Sequence, residues 1–307
     1  MAGTRDSHSP GRPHLRRLKT AWQESPMRIA AYKERFLRGV ELRTGWPCSK
    51  PAQIWLKLIE RCNCRCRMCD IWKHNTSAEG ELTTEEWKQV LQGLRDWLGK
   101  KHIWFTGGEP FLRKDCVELI RHAGELGLST GVITNGMLLN RSRVQEVLDA
   151  GLSEFHVSID SMDPEIHDDL RGVRGAFQKA TENTLLVKAL SEENNQAIRV
   201  VLKVVIMGRN SETILPLVRW AESHEFDEIK FQPLESNLEG DIDPHWFEAS
   251  PFWPRGNEME RIVETLDGLI KAKTAGTPIH NTVQELREMR NYFLDPVAYY
   301  ERVKNHA

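Results

Sequence analysis

Residues 53–69 read QIWLKLIERCNCRCRMC, a short apolar strand pattern that runs straight into four cysteines within eight residues. That crowding marks a metal or cluster site rather than a disulfide framework. Two ligand sets are open. Cys62, Cys66 and Cys69 are spaced C-x3-C-x2-C, which can fold three thiolates onto one centre with Cys64 as a bystander. All four together form a closed zinc or iron–sulfur site. Three thiolates are one too few for a closed tetrahedral zinc site or a fully protein-ligated four-iron cluster, so the first set leaves one metal position open to a small molecule.

Outward from this loop, short apolar runs alternate with amphipathic helical windows, the pattern of repeated β/α units with parallel strands. Strands are expected at 53–60, 102–110, 129–136, 155–160, 198–207 and 228–234. Helices are expected at 83–99, 113–127, 141–151, 175–190, 213–225 and 257–276, with Thr83 or Thr84 and Glu86 forming a capping box and Pro216 in a first turn. Six units fall short of the eight that close a full barrel. The irregular run 237–256 reads as a loop across the mouth, with Trp246, Phe252 and Trp253 as pocket-lining candidates.

In such folds ligands bind beyond the C-terminal strand ends, and the unusual residues of this chain cluster there. The cysteine loop follows the first strand. Gly107-Gly108-Glu109-Pro110 follows the second, where two glycines open the backbone to a ligand and Glu109 offers an acceptor for an ammonium. Thr134-Asn135-Gly136 follows the third, Ser158 and Asp160 end the fourth, and Gln232 ends the sixth. Asp160 suits either orienting a ribose or substrate, or capping the next turn. HDDLRG (167–172) adds Arg171, whose guanidinium fork fits a carboxylate; its bland alternative is an ion pair with Asp168 or Asp169.

The C-x3-C-x2-C loop, GGEP and VSID…HDDLRG together resemble the radical S-adenosylmethionine (radical SAM) family over about residues 50–280. The resemblance implies a partial (β/α)6 TIM-like barrel, an α/β fold, with an N-terminal helical extension and a short C-terminal helical tail. It implies a [4Fe-4S] cluster on Cys62, Cys66 and Cys69 whose open iron binds S-adenosylmethionine. Reductive cleavage then releases a 5'-deoxyadenosyl radical that abstracts hydrogen from a peptide or small molecule. It also implies that the GGEP loop holds the amino group of S-adenosylmethionine, that Ser158 and Arg171 hold its ribose and carboxylate, and that Met68 lies near the adenine. Asn135 is a further candidate for that pocket. A flavodoxin- or ferredoxin-type reducing partner follows from the same family chemistry. The alternative is a non-enzymatic zinc or iron–sulfur protein using all four clustered cysteines.

Composition narrows the rest. The chain has 307 residues, 40% apolar and 28% charged, with a formal net charge of −2, so nothing general argues for nucleic acid or a membrane. Arg-rich residues 1–25 read as a mobile tail without the apolar core of a signal peptide, and 26–45 as a basic amphipathic helix packed on the domain. Expected divisions are 1–50 for tail and helix, 51–280 for the core, and 281–307 for a C-terminal helical extension. Six cysteines suit a reducing, cytoplasmic compartment, and Cys48 and Cys116 read as small buried apolar residues. Relatives of this type often carry a cysteine-rich C-terminal module, yet no cysteine follows Cys116. The expectation is either a single cluster or a chain cut short.

Overall fold

The computed structural model describes residues 36–37, 39–41, 43–46, 49–51, 53–74, 77–236 and 243–304. The expected tail at 1–25, most of the helix at 26–45, and Cys48 lie outside them. The chain divides into two units, residues 1–52 and 53–306. In the first, the Thr44 hydroxyl donates to the Val40 carbonyl at 2.8 Å and closes a helical turn.

The second unit alternates strand and helix. Its elements are β1 (Ile54–Ile59), α1 (Thr84–Leu98), β2 (His102–Gly107), α2 (Cys116–Glu125), β3 (Ser129–Thr134), α3 (Arg141–Asp149) and β4 (Glu154–Ser158). Then come α4 (Pro164–Arg171), α5 (Ala176–Glu193), β5 (Arg199–Ile206), α6 (Ser211–Ser223), β6 (Glu228–Pro233), α7 (Asn257–Ala275), α8 (Val283–Leu294) and α9 (Pro296–Lys304). The six strands pair in parallel in chain order.

Side chains alternate along β5, and the alternation sorts the unit into layers. Val200, Leu202, Val204 and Ile206 are buried against the outer helices, whereas Lys203 and Val205 turn to the opposite face and are only half-buried. That second face is concave. The Lys203 ammonium lies 5.6 Å from the ring centre of Trp55 on β1. Four interstrand steps in a flat sheet would span about 19 Å, at about 4.8 Å each. The sheet therefore curls so that β1 faces β5 across a lumen. Trp55 stacks on Trp104 of β2 at 5.5 Å, and Trp104 meets His156 of β4 at 4.2 Å within that lumen.

Local chemistry sets the helix ends. Thr83 and Glu86 form the expected capping box on α1, and Thr282 and Glu285 form another on α8. Thr282→Ala removes the acceptor for Glu285 N–H (3.1 Å) and is expected to cost about 1 kcal/mol, read from the shift of a urea midpoint. Pro216 does not fall in a first turn: α6 starts at Ser211, two residues earlier than expected, so Pro216 sits in the second turn and the Glu212 carbonyl loses its helical donor. The helix α4 went unread within the 167–172 motif. Its signal was Asp163-Pro164, where Asp163 caps Glu165 and Ile166 N–H and Pro164 occupies the first turn. Of the expected loop 237–256, residues 237–242 lie outside the described residues, and the described part contains one short helical turn, Trp246–Ala249. Trp253 is buried against Tyr292 and Phe293 of α8, with ring centres 5.4 and 5.1 Å away.

Candidate active site

A cavity of about 660 Å³ opens at the C-terminal strand ends. Its wall includes Cys62, Cys64, Cys66, Cys69 and Met68 from the loop after β1, and Gly107 and Gly108 from the end of β2. Asn135, Ser158, Arg171 and Gln232 complete it from the ends of β3, β4, α4 and β6. The fold thus gathers every expected cofactor contact at one cavity except Glu109 and Pro110, both buried behind it.

The cysteine loop is held by its backbone. Arg65 and Arg67 N–H donate to the Arg171 and Leu170 carbonyls at 3.0 and 2.9 Å, so the loop docks on the C-terminal end of α4. Those carbonyls have no helical partners of their own, which makes the helix end a ready acceptor. Gly172 ends α4 in the left-handed region at φ +64°, and a Cβ there would lie 2.3 Å from the Arg65 carbonyl oxygen. Only glycine fits this junction. The Arg65 guanidinium donates back to the Cys62 and Cys64 carbonyls (2.6 and 3.0 Å) and sits 5.2 Å from the Trp72 ring centre. Trp72 Nε1 in turn donates to the Cys66 carbonyl at 3.0 Å. Sequence reading missed both residues, which act on main-chain atoms and carry no motif.

The Gly107-Gly108 pair serves a second contact besides the cavity. Gly108 N–H donates to the Ile59 carbonyl at 2.7 Å, and Glu109 N–H to that of Arg61 at 3.0 Å. A Cβ on Gly108 would lie 2.1 Å from the Arg61 carbonyl oxygen. The glycines therefore let the two loops share backbone hydrogen bonds, which fixes where the cysteines start.

Glu109 is anchored inside the protein. Its carboxylate is fully buried and accepts from Phe111 N–H (3.1 Å), Thr134 Oγ1 (2.8 Å) and Asn135 N–H (2.8 Å). Burial pushes its pKa up to about 7 against the pull of these donors. With its oxygens engaged inside the protein, Glu109 ties β2 to β3. Pro110 opens the short 3-10 turn Pro110–Leu112 beside it.

Arg171 also has a different partner from either alternative. Asp168 accepts from Gly175 and Phe177 N–H at the start of α5, and Asp169 pairs with Arg67 and Arg209. Arg171 is buried and ion-paired with Asp160 at 2.6 Å. Asp160 is itself fully buried and accepts from Val205 N–H at 3.0 Å. It neither reaches the cavity nor caps the next turn; it fixes Arg171. The Arg171 Nη1 then lies 3.8 Å from Cys66 Sγ, and Asn135 Nδ2 lies 3.9 Å from Cys62 Sγ.

This donor set fits an iron–sulfur cluster. Four thiols line the cavity on one constrained loop, and N–H groups of Asn135 and Arg171 aim at two of them, Cys62 and Cys66, as charged thiolates require. Cys64 has its thiol 3.5 Å from the Met137 sulfur and is completely buried, whereas Cys62 and Cys69 are half-exposed. Among the described residues no three His, Cys, Asp or Glu side chains are spaced to hold a single metal ion. A second cavity of about 420 Å³ borders the first, sharing Met68, Asp70, Leu234, Glu235 and Ser236 and adding Trp246 and Phe252. No described helix is long and apolar enough to cross a membrane.

The chain is similar to several known proteins. The chain is 39% identical over 132 residues to the PqqA peptide cyclase of Bradyrhizobium diazoefficiens, covering 43% of this chain and 34% of that protein. It is 33% identical over 185 residues to the Fe-coproporphyrin III synthase of Methanosarcina barkeri, covering 60% and 44%. The matches thus span between a third and a half of the length of these relatives. Among solved structures, Streptococcus suis SuiB bound to S-adenosylmethionine superposes with a TM-score of 0.58 at 15% identity, over 80% of this chain and 53% of SuiB. The anSMEcpe enzyme with bound AdoMet and Cp18Cys peptide superposes with a TM-score of 0.57 at 17% identity, over 74% and 62%. At such identities the structural likeness speaks for the fold, a partial barrel of six β/α units. The Radical SAM superfamily model matches residues 56–221, more than half of the 307 residues, and the chain therefore belongs to the radical SAM superfamily.

Proposed function

We propose that this cavity is the catalytic site of a radical SAM enzyme acting on a peptide or a small molecule. The superfamily works with a [4Fe-4S] cluster and S-adenosylmethionine. Bound together and reduced by an external flavodoxin- or ferredoxin-type donor, these supply a 5'-deoxyadenosyl radical that takes a hydrogen atom from the substrate. The protein's own share is orientation and a dry cavity. Cys62, Cys66 and Cys69 are the ligands, held in register by Arg65, Trp72 and the end of α4. Arg171 and Asn135 direct N–H groups at two of the three sulfurs and stabilise their charge. The backbone of Gly107 and Gly108, together with Asn135 and Ser158, forms the wall against which S-adenosylmethionine rests. Met68 supplies an apolar surface for its adenine. Glu109 acts indirectly, by holding Thr134 and Asn135 in place.

The observation that carries this reading is the convergence of the cysteine loop, Gly107-Gly108, Asn135 and Ser158 on one cavity. The substrate class stays broad because the relatives divide. PqqA peptide cyclase and SuiB with its precursor peptide SuiA favour a peptide. The AdoMet-dependent heme synthase of Oleidesulfovibrio alaskensis, 36% identical over 137 residues, favours a small molecule.

Anaerobically reconstituted protein is expected to be brown and to form 5'-deoxyadenosine from S-adenosylmethionine and dithionite. Cys64→Ser is expected to keep its iron, because Cys64 packs on Met137. Loss of all metal from that variant, or one equivalent of zinc and no iron in the parent protein, would establish a closed four-thiolate site instead.

A further inference from the structure

The lumen below the cavity carries charge that the cofactor chemistry does not use. Lys203 and Lys230 are direct register partners on β5 and β6, and Lys203 is also the partner of Ser158 on β4. Two residues further along, Val205 and Gln232 are partners and line the cavity. Because side chains on a strand alternate with period two, the lysines face the same lumen, one layer below. Lys57 joins them from β1 in the cavity wall.

Neighbouring strands lie about 4.8 Å apart, so the two lysine backbones are adjacent and their like charges repel. Lys203 has the Trp55 ring as a cation–π partner. Among the described residues, neither Lys203 nor Lys230 has a carboxylate within salt-bridge distance. Asp160 pairs with Arg171, Glu154 and Glu228 pair with Arg199, and Glu235 at the mouth attracts Lys203 without reaching salt-bridge distance. Burial, then Lys230 and Arg171, pull the Lys203 ammonium down to about 8, against the weaker attraction of Glu235 and Asp160. Burial lowers the pKa of His156, in the layer beneath, and the Lys203 and Lys230 charges add to that against the opposing pull of Glu154. A pair of half-buried cations with no carboxylate in contact is costly unless something anionic completes it.

We propose that Lys203 and Lys230 form a carboxylate subsite at the floor of the catalytic cavity, so that the substrate is an acid whose carboxylate seats on these lysines while its remainder rises toward Ser158 and the cysteine loop. The inference rests on reading the cavity as the reaction site and narrows its substrate to carboxylate-bearing molecules. Glu235 repels that group at the mouth and favours a single carboxylate reaching the floor.

The test is calorimetric titration of the full chain with succinate, with succinamide as the uncharged control; it needs neither cluster nor turnover. Wild type is expected to bind succinate one-to-one and not succinamide. Lys203→Met and Lys230→Met, of nearly unchanged volume and checked for folding by circular dichroism, are each expected to weaken binding at least tenfold. Glu235→Gln, at an exposed position, is expected to tighten it about threefold. Ac-Gly-Glu-Gly-amide beside Ac-Gly-Gln-Gly-amide separates a peptide carboxylate from a free organic acid: discrimination lost in the lysine variants assigns the acid to a peptide, and binding of succinate alone assigns it to a small molecule. Lack of succinate binding by wild type, equal binding of succinamide, unchanged affinity in both lysine variants, or Glu235→Gln binding no more tightly overturns the subsite. Absence of 5'-deoxyadenosine from reconstituted wild type overturns the radical SAM reading and leaves the titration to judge the subsite separately.

Discussion

Cys66→Ala is expected to abolish 5'-deoxyadenosine formation and to strip the protein of its iron–sulfur chromophore. Cys66 is the middle thiol of the C-x3-C-x2-C set, its carbonyl is held by Trp72, and its sulfur lies 3.8 Å from Arg171 Nη1. Removing groups that only orient a metal ligand typically costs about 10–100-fold, so loss of a ligand itself should exceed a hundredfold and fall below detection. The measurements are iron content after anaerobic reconstitution and chromatographic 5'-deoxyadenosine. Arg65→Met is the informative companion: it leaves all the thiols and removes only the guanidinium that holds the Cys62 and Cys64 carbonyls. Wild-type rates of 5'-deoxyadenosine formation in Cys66→Ala would remove Cys66 from the ligand set.

The second large effect is on stability. Asp160→Ala leaves the buried Arg171 guanidinium without its 2.6 Å partner and the Val205 N–H without its acceptor. Breaking one side of a buried pair typically costs about 3–5 kcal/mol, because a charge stays in a low-dielectric site without compensation. Total stability of a domain is commonly about 5–15 kcal/mol, so the urea midpoint should fall by a large fraction. The double variant Asp160→Ala/Arg171→Met, with both charges gone, should recover much of the loss. Equal destabilisation by the single and double variants would show that the ion pair itself is not what these residues contribute. The same variants should lower iron uptake, since they displace or remove the Arg171 guanidinium that lies 3.8 Å from Cys66 Sγ.

The strands were legible because a curled parallel sheet buries one face against helices and so writes apolar runs into every strand. β5 shows it, with Val200, Leu202, Val204 and Ile206 all buried. Helix starts were legible where a capping box writes itself into four residues, as at Thr83–Glu86. The α6 start was misplaced by two residues because a mid-helix proline looks locally like a first turn, and only outer packing shows that the missing bond at Glu212 is tolerated. The cysteines, Gly107, Gly108, Asn135, Ser158 and Arg171 stood out in the sequence because each carries unusual chemistry at a strand or helix end, and the fold places them around one cavity. Their partners did not stand out. Nothing local tells Arg171 to choose Asp160 over the adjacent Asp168 and Asp169, and nothing marks Glu109 as facing inward rather than into the cavity.

Residue types and spacing alone set the alternation of strand and helix, the three-thiolate signature and the collection of polar groups at strand ends. Those features are local, arising from side-chain periodicity and from short loops that cannot reach far. Which acid neutralises Arg171, which carboxylate is locked away, and that Lys203 and Lys230 share a lumen with Trp55 were decided by tertiary structure. The physical reason is curvature: rolling the sheet brings β5 opposite β1, and burial then makes each charge take the partner that the rolled geometry puts within reach, whatever its distance along the chain.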